Sequence, residues 1–456
     1  MTQVNENNGP KEDYWRMWTY YPELLARPVP RYTSYPTAAE FNGSVGAAEM
    51  EQELARVGAD ASLSIYVHIP YCREICWYCG CNTGAANRQN RLSAYLEAME
   101  REIALVAGRL SGQGIVRHIA FGGGSPNALA PVEFVRLLQQ ILLCFRHDDP
   151  EIAVELDPRI LNEQWISVLG ETGVHRVSMG VQTFAPHVQA AIGRVQPAAM
   201  IEGAVASLRS KGVASINFDL MYGLPGQDIG DLDDTLERSI ALAPDRIALF
   251  GYAHVPELLP RQRRIDATRL PGQAERFAMA SHGHDRLTAA GYETIGFDHF
   301  ALSQDALARA KRQNVLRRNF QGFTADQSEV LIGLGATAIS SFSGSIIQNE
   351  KNSGRYRMRL STARLPAERG VLRSDTDRRR GQVIEDILCR GEARITTDML
   401  SSTVSLELAR FEQCGLVTLY DAKLRLAPNA LPYARSIAAL FDSYRQPGAK
   451  KFSNAI

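Results

Sequence analysis

An alternation of short apolar strands and amphipathic helices, sustained from residue 62 to residue 289, limits this chain to few architectures. Leu63, Ile65, Val67 and Ile69 recur with a period of two, which reads as a strand carrying Tyr66 and His68 on its other face. Leu92, Leu96, Met99, Ile103 and Val106 then follow helical spacing. The same texture predicts strands at 117–121, 151–156, 175–180, 215–220, 246–251 and 292–297. Helices are predicted between them, near 130–146, 161–173, 197–211, 230–242 and 272–289. Short strands separated by helices build parallel sheets, because a parallel pair needs a long crossover. Six or seven such units predict an α/β fold, an incomplete parallel (β/α)6-type barrel. In parallel barrels the functional residues gather at the C-terminal ends of the strands.

The flanks differ from this core. Residues 14–36 carry Tyr14, Trp15, Trp18, Tyr20, Tyr21, Tyr32 and Tyr35, broken by Pro22, Pro28, Pro30 and Pro36. With no clean period, this stretch predicts an irregular arm that packs on something else. Beyond about residue 370, Thr376-Asp-Arg-Arg-Arg-Gly381 opens helical segments, and Gly415 to Leu426 reads as a hairpin about Asp421-Ala422. The organisation expected is an N-terminal arm over 1–50, a catalytic domain over 51–365 and a mainly helical, winged-helix-like C-terminal domain over 366–456. Winged helices often bind DNA, but a fold does not fix a function. With 50 basic and 50 acidic residues the formal net charge is zero, which argues against a general nucleic-acid surface. No apolar run reaches the roughly 18 residues that suggest a membrane span. Met1 to Asp13 is polar and unlike a leader peptide, so a cytoplasmic location is expected.

Four of the seven cysteines fall between Cys72 and Cys81. Cys72, Cys76 and Cys79 stand at C-x₃-C-x₂-C spacing directly after the strand-like segment Leu63 to Pro70. A cubane iron–sulfur cluster normally takes four thiolates, so three from one loop leave an iron open for chemistry. The loop alone also admits a zinc ion held by all four thiols. Cys144, Cys389 and Cys414 sit singly in apolar segments and read as buried structural thiols. Gly122-Gly123-Gly124 follows a strand and lets backbone approach a ligand closely, although the dinucleotide fingerprint is absent. Glu155, Asp157 and Asp219 end strands, where caps and salt bridges are the ordinary alternative to ligand contacts. For Gln182 and Arg194 the ordinary reading is a solvated face. For His68, His254 and His299 it is a structural imidazole.

C-x₃-C-x₂-C is the signature of the radical S-adenosylmethionine (SAM) superfamily, and the surrounding motifs narrow the resemblance. Tyr66-Val-His-Ile-Pro-Tyr71 before the first cysteine and Cys79-Gly-Cys81 at the end resemble the oxygen-independent coproporphyrinogen III oxidase family. So do Pro30-Arg-Tyr-Thr-Ser-Tyr-Pro36, Gly122-Gly-Gly-Ser-Pro126, Glu155-Leu-Asp-Pro-Arg159 and Ser178-Met-Gly-Val-Gln182. Asp219-Leu-Met-Tyr-Gly-Leu-Pro225, Tyr252-Ala-His254, Asp298-His-Phe300 and Arg318-Asn-Phe-Gln-Gly322 continue the series, which thins after about residue 345.

The resemblance implies a radical SAM barrel with one [4Fe-4S] cluster on Cys72, Cys76 and Cys79, and two SAM molecules. Tyr66, Tyr78, Gly123, Glu155 and Ile339 match contacts of the SAM on the cluster. Gly124, Ser125, Gln182, Arg194, Asp219 and Ala253 match those of the second, with Ser125 where the family usually has threonine. Cys81 is expected near the reacting region rather than on iron. By resemblance, a 5′-deoxyadenosyl radical removes hydrogen from two propionates of coproporphyrinogen III, and loss of carbon dioxide gives the vinyl groups of protoporphyrinogen IX. A substrate with four propionates calls for guanidinium groups, for which Arg31 and Arg318 are the candidates. The electron donor implied is a flavodoxin- or ferredoxin-type protein, and the chain is expected to act as a monomer without nucleic acid or membrane. Other readings of the same loop are a two-SAM methyltransferase or cyclopropanase, a haem-modifying enzyme, and a non-catalytic haem chaperone.

Overall fold

The computed structural model describes residues 18–86 and 89–445. Met1 to Asp13, Tyr14 and Trp15 lie outside the described residues. In chain order the main strands are β1 Ser62–Ile69, β2 Ile115–Gly123, β3 His147–Leu156, β4 Arg176–Gln182, β5 Ser215–Tyr222 and β6 Arg246–Gly251. They continue as β7 Glu293–Ile295, β8 His299–Ala301, β9 Val330–Leu334, β10 Ile339–Ser341, β11 Ser345–Asn349 and β12 Ala367–Leu372. All twelve form one sheet in the order β12-β11-β10-β9-β1-β2-β3-β4-β5-β6-β8-β7. From β9 through β6 the neighbours are parallel. The first and last strands of this parallel run do not pair with each other, so the barrel is open, as the sequence predicts.

The helices between the strands are α1 Gln89–Leu110, α2 Pro131–Cys144, α3 Glu163–Glu171, α4 Ala198–Ser210, α5 Ile229–Ala241 and α6 Gln273–Ala289. Their starts are written in the sequence. Pro131 occupies the first turn of α2 while Glu133 accepts from the Ala130 N–H at 2.8 Å, and Asn162 caps α3 by accepting from Trp165 N at 3.0 Å. The strands alternate in what they face. Val177, Met179, Phe218 and Leu220 are fully buried in the core shared with Leu208 and Leu232 of the helices. Ser178, Gly180 and Asp219, on the opposite face, line the barrel's interior.

One predicted strand behaves differently. The segment near 292–297 is not a seventh parallel unit. Only Glu293–Ile295 is extended, and it forms a hairpin with β8, which runs antiparallel to β6. Three residues separate Ile295 from His299, too few for a parallel crossover. The seventh parallel strand is instead β9, which joins the free side of β1.

The C-terminal residues form α7 Asp375–Arg390, α8 Ser402–Gln413 and α9 Ala434–Ala438, with a small sheet of β13 Glu392–Arg394, β14 Val417–Tyr420 and β15 Lys423–Leu426. Asp421 and Ala422 both have positive φ, at 48° and 58°, which is the conformation a two-residue I′ hairpin turn requires. β12 belongs to the large sheet, so the residues just after 366 pair with β11 and the chain leaves the barrel near Arg373. The arm closes that edge: Asn42 and Gly370 exchange backbone hydrogen bonds of 2.9 Å in both directions. Elsewhere the arm is tied to the C-terminal segment. Tyr433 Oη accepts from Tyr21 N and donates to Thr19 O, and Tyr32 Oη donates to Asp442 at 2.9 Å.

Candidate active site

A cavity of about 460 Å³ opens at the C-terminal ends of the parallel strands. Its wall contains Cys72, Cys76, Cys79 and Cys81 from the loop after β1, Gly123 and Gly124 after β2, and Glu155 from β3. Gln182 and Arg194 follow from β4 and the chain after it, with Asp219 from β5, Ala253 after β6, and also Tyr78 and Arg31. Four of the residues expected at the site do not line it. Tyr66 lies on β1 with its hydroxyl 3.2 Å from His68 Nδ1, and Ser125 is buried and donates to Asn127 at 2.6 Å. Ile339 sits on β10, where its backbone closes on Gly333. Arg318 is sandwiched between Phe297 and Phe323 and donates to the Arg31 carbonyl at 3.2 Å, so it stands behind Arg31 rather than beside it.

The cysteine loop is held by donors aimed at sulfur. Thr83 Oγ1 donates to Cys72 Sγ at 3.2 Å, Arg194 to Cys76 Sγ at 3.2 Å, Arg159 to Cys76 at 3.5 Å, and the Cys81 N–H to Cys79 Sγ at 3.4 Å. The sulfur of Cys81 accepts no such bond among the described residues and is exposed to the cavity. Burial pushes the Cys72 thiol up to about 11, whereas the neighbouring Cys81 thiol pulls Cys79 down to about 6. Asp157 ties the two arginines together, pairing with Arg159 at 2.6 Å and Arg194 at 3.2 Å, and it also caps the turn at Pro158–Ile160. Arg194 is therefore buried and fully engaged, not on a solvated face.

The glycine run is required by contact. A Cβ on Gly124 would stand 2.6 Å from both Thr83 Oγ1 and the Tyr71 carbonyl, and one on Gly123, at φ 111°, would meet the His68 ring at 2.7 Å. His68 is kept neutral, its imidazole lowered to about 4 by burial. Glu155 accepts from Gly123 N at 3.2 Å and is raised to about 7, first by burial and then by Asp219. Asp219 is likewise raised by burial, although Ser178 and Asn217 donate to it at 3.0 and 2.9 Å. Neither carboxylate has a basic partner in an ion pair among the described residues, so both remain available to a cation or a polyol.

The family model of the radical SAM superfamily matches residues 66–238. The oxygen-independent coproporphyrinogen III oxidase of Bradyrhizobium diazoefficiens is 41% identical over 439 residues, 94% of this chain and 97% of the relative. This chain belongs to that family. The enzyme of the same name from Paracoccus denitrificans is 38% identical over 427 residues, 91% of this chain and 94% of its own. Among solved structures, coproporphyrinogen III oxidase from Escherichia coli, described as a radical SAM enzyme, superposes with a TM-score of 0.87 at 32% identity, covering 95% of this chain and all of that one.

A radical SAM member of this family uses a [4Fe-4S] cluster and SAM; among the described residues no three His, Cys, Asp or Glu side chains are gathered closely enough to hold a metal ion as they stand, but the donors at the cysteine sulfurs suit a cluster. Three sulfurs with donors aimed at them suit thiolates that carry a shared negative charge, because hydrogen bonds to sulfur stabilise the cluster. Several contributors escaped the sequence reading. Arg159 and Thr83, which hold the sulfurs, lie within or beside recognised motifs. Gln262 gave no signal: it is buried in a short 3₁₀ helix, Pro260–Arg264, and its side-chain amide donates to the Tyr78 and Ala253 carbonyls at 2.9 and 3.0 Å.

Proposed function

We propose that this chain carries out the oxygen-independent oxidative decarboxylation of two propionate side chains of coproporphyrinogen III, giving the vinyl groups of protoporphyrinogen IX. The observation that supports it most is the joining, in one cavity at the strand ends, of three donor-supported thiols with two separate unpaired carboxylates, Glu155 and Asp219. When bound, the cluster and SAM supply one-electron cleavage of a sulfonium and a carbon radical able to take a hydrogen atom from an unactivated C–H bond. Cys72, Cys76 and Cys79 hold the cluster, and Arg194, Arg159 and Thr83 orient their sulfurs. Tyr78, Gly123 and Glu155, backed by Tyr66 and Ile339, are assigned to the SAM on the cluster. Gly124, Gln182, Arg194, Asp219 and Ala253, backed by Ser125, are assigned to a second. The buried walls exclude water from the reacting region. Cys81, free of sulfur-directed donors, presents its thiol to the cavity beside the substrate, and Arg31 receives a propionate with Arg318 fixing it from behind.

Electrons come from a flavodoxin- or ferredoxin-type donor, and the chain works as a cytoplasmic monomer. All seven cysteines are free thiols, as a reducing compartment keeps them. The test is an anaerobic assay of the reconstituted protein with coproporphyrinogen III, SAM and a reductant. Carbon dioxide, vinyl groups and methionine are expected, whereas S-adenosylhomocysteine would replace this reading by methyl transfer. Cys72→Ala, Cys76→Ala and Cys79→Ala should each lose iron and SAM cleavage. Cys81→Ser should keep its iron and lose porphyrinogen turnover, and iron lost from it would overturn the three-ligand assignment.

A further inference from the structure

A second recess, of about 50 Å³, shares Arg31, Phe250, Gly251 and Ala253 with the main cavity and contains none of the cysteines. Four separate parts of the chain meet there: Trp18 and Arg31 of the arm, the barrel rim at Asp298, Arg276 of α6 and Arg435 of α9. Three guanidiniums thus face one carboxylate, and Asp298 is already paired with His299 at 2.6 Å. Among the described residues none of the three arginines makes an ion pair. Arg276 Nε is buried with no hydrogen-bond partner. Burial and the neighbouring Arg31 push Arg435 down to about 10. Arg276 and Arg435 are half-buried and Arg31 is exposed, and like charges drawn together in a partly dry recess are unfavourable unless an anion completes the site.

The groups are also held in place. Arg31 stacks on Phe250 at 5.2 Å and Arg435 on Phe297 at 5.3 Å. Gly251 gives Arg276 its room, since a Cβ there would lie 3.2 Å from Arg276 Nη2. At roughly 10–15 Å³ for each water-sized group, the recess holds about three to five such groups. That is the bulk of a carboxylate head, not of a tetrapyrrole.

We infer that Arg276 and Arg435, together with Arg31, bind the carboxylate of one non-reacting propionate of the porphyrinogen in this recess and thereby set which propionate faces the chemistry. The inference rests on the substrate reading above. It gives the arm and the C-terminal domain a task, because neither Arg31 nor Arg435 belongs to the barrel.

The test is anaerobic equilibrium binding of coproporphyrinogen III to the holoenzyme, beside its uncharged tetramethyl ester. Arg276→Gln and Arg435→Gln should each weaken coproporphyrinogen binding about ten- to hundredfold, the loss expected for a charged hydrogen bond. Binding of the ester and of SAM, and the iron content, should be unchanged. Arg435→Lys, which keeps the charge but not the planar fork, should recover part of the loss. Wild-type affinity in both glutamine variants, or equal loss of ester binding, would overturn the recess assignment alone. Failure of the wild-type protein to bind coproporphyrinogen would overturn the substrate reading and this inference with it.

Discussion

Glu155 is a carboxyl group that the empty site favours in its neutral form. Its pKa of about 7 lies above the ordinary 4.5 because burial and Asp219 both disfavour the anion. The folded value is raised, so its neutral form stabilises the ligand-free fold fully below pH 4.5, and that contribution is lost as pH rises through about 7. The gap corresponds to roughly 3 kcal/mol. Thermal melts of ligand-free protein should therefore show Glu155→Gln gaining on the wild type between pH 5 and pH 8, and a difference that does not change with pH would refute the assignment. The same substitution should weaken the SAM on the cluster about ten- to hundredfold, while Asp219→Asn weakens the second. Equal SAM stoichiometry and affinity in both variants would make them rim residues. The family motifs singled out both acids, and both line the cavity at the strand ends. Arg276 and Arg435 were not, since a site built from positions 31, 276 and 435 leaves no local pattern in the chain.

At the scale of elements, the period of the apolar residues carried most of the information. The strand expected at 117–121 spans Ile115–Gly123, and the helix expected at 272–289 spans Gln273–Ala289. The miss at 292–297 came from length: an apolar pattern cannot tell a parallel strand from one arm of a tight hairpin until the connection is counted. The turn after β2 shows why a glycine run belongs to the strand end and not to a flexible linker. Gly123→Ala should lower stability by about 1–3 kcal/mol and reduce cluster loading, through both its left-handed φ and the His68 ring. Gly108→Ala, in α1 with nothing within 4 Å, should instead be neutral or stabilise by about 1 kcal/mol. Denaturant melts and iron content of the two variants check the contrast, and similar behaviour would mean that the Gly123 turn relaxes freely.

The whole molecule is an open barrel whose two chain ends pack on each other. The arm's aromatic residues predicted packing against something, but the partner is about four hundred positions away. Tyr433 is fully buried, accepting from Tyr21 N at 2.8 Å and donating to Thr19 O at 2.7 Å. Those bonds fix the segment that brings Trp18 and Arg31 to the recess, while the cysteine loop, Glu155 and Asp219 belong to the barrel. The two halves of the site should therefore separate experimentally. Tyr433→Phe takes this partner from the Tyr21 N–H and the Thr19 carbonyl, which are only partly shielded from water, at about 1 kcal/mol each. The cost falls first on the docking of the arm, because both lost bonds run to its backbone. Limited proteolysis should cut within residues 18–36 more readily, and the KM for porphyrinogen should rise, while SAM affinity and iron content stay at wild-type values. A variant with faster arm cleavage but unchanged KM would show that the arm covers the site without gripping the substrate. A variant that loses SAM binding as well would show that the cluster side also depends on this closure.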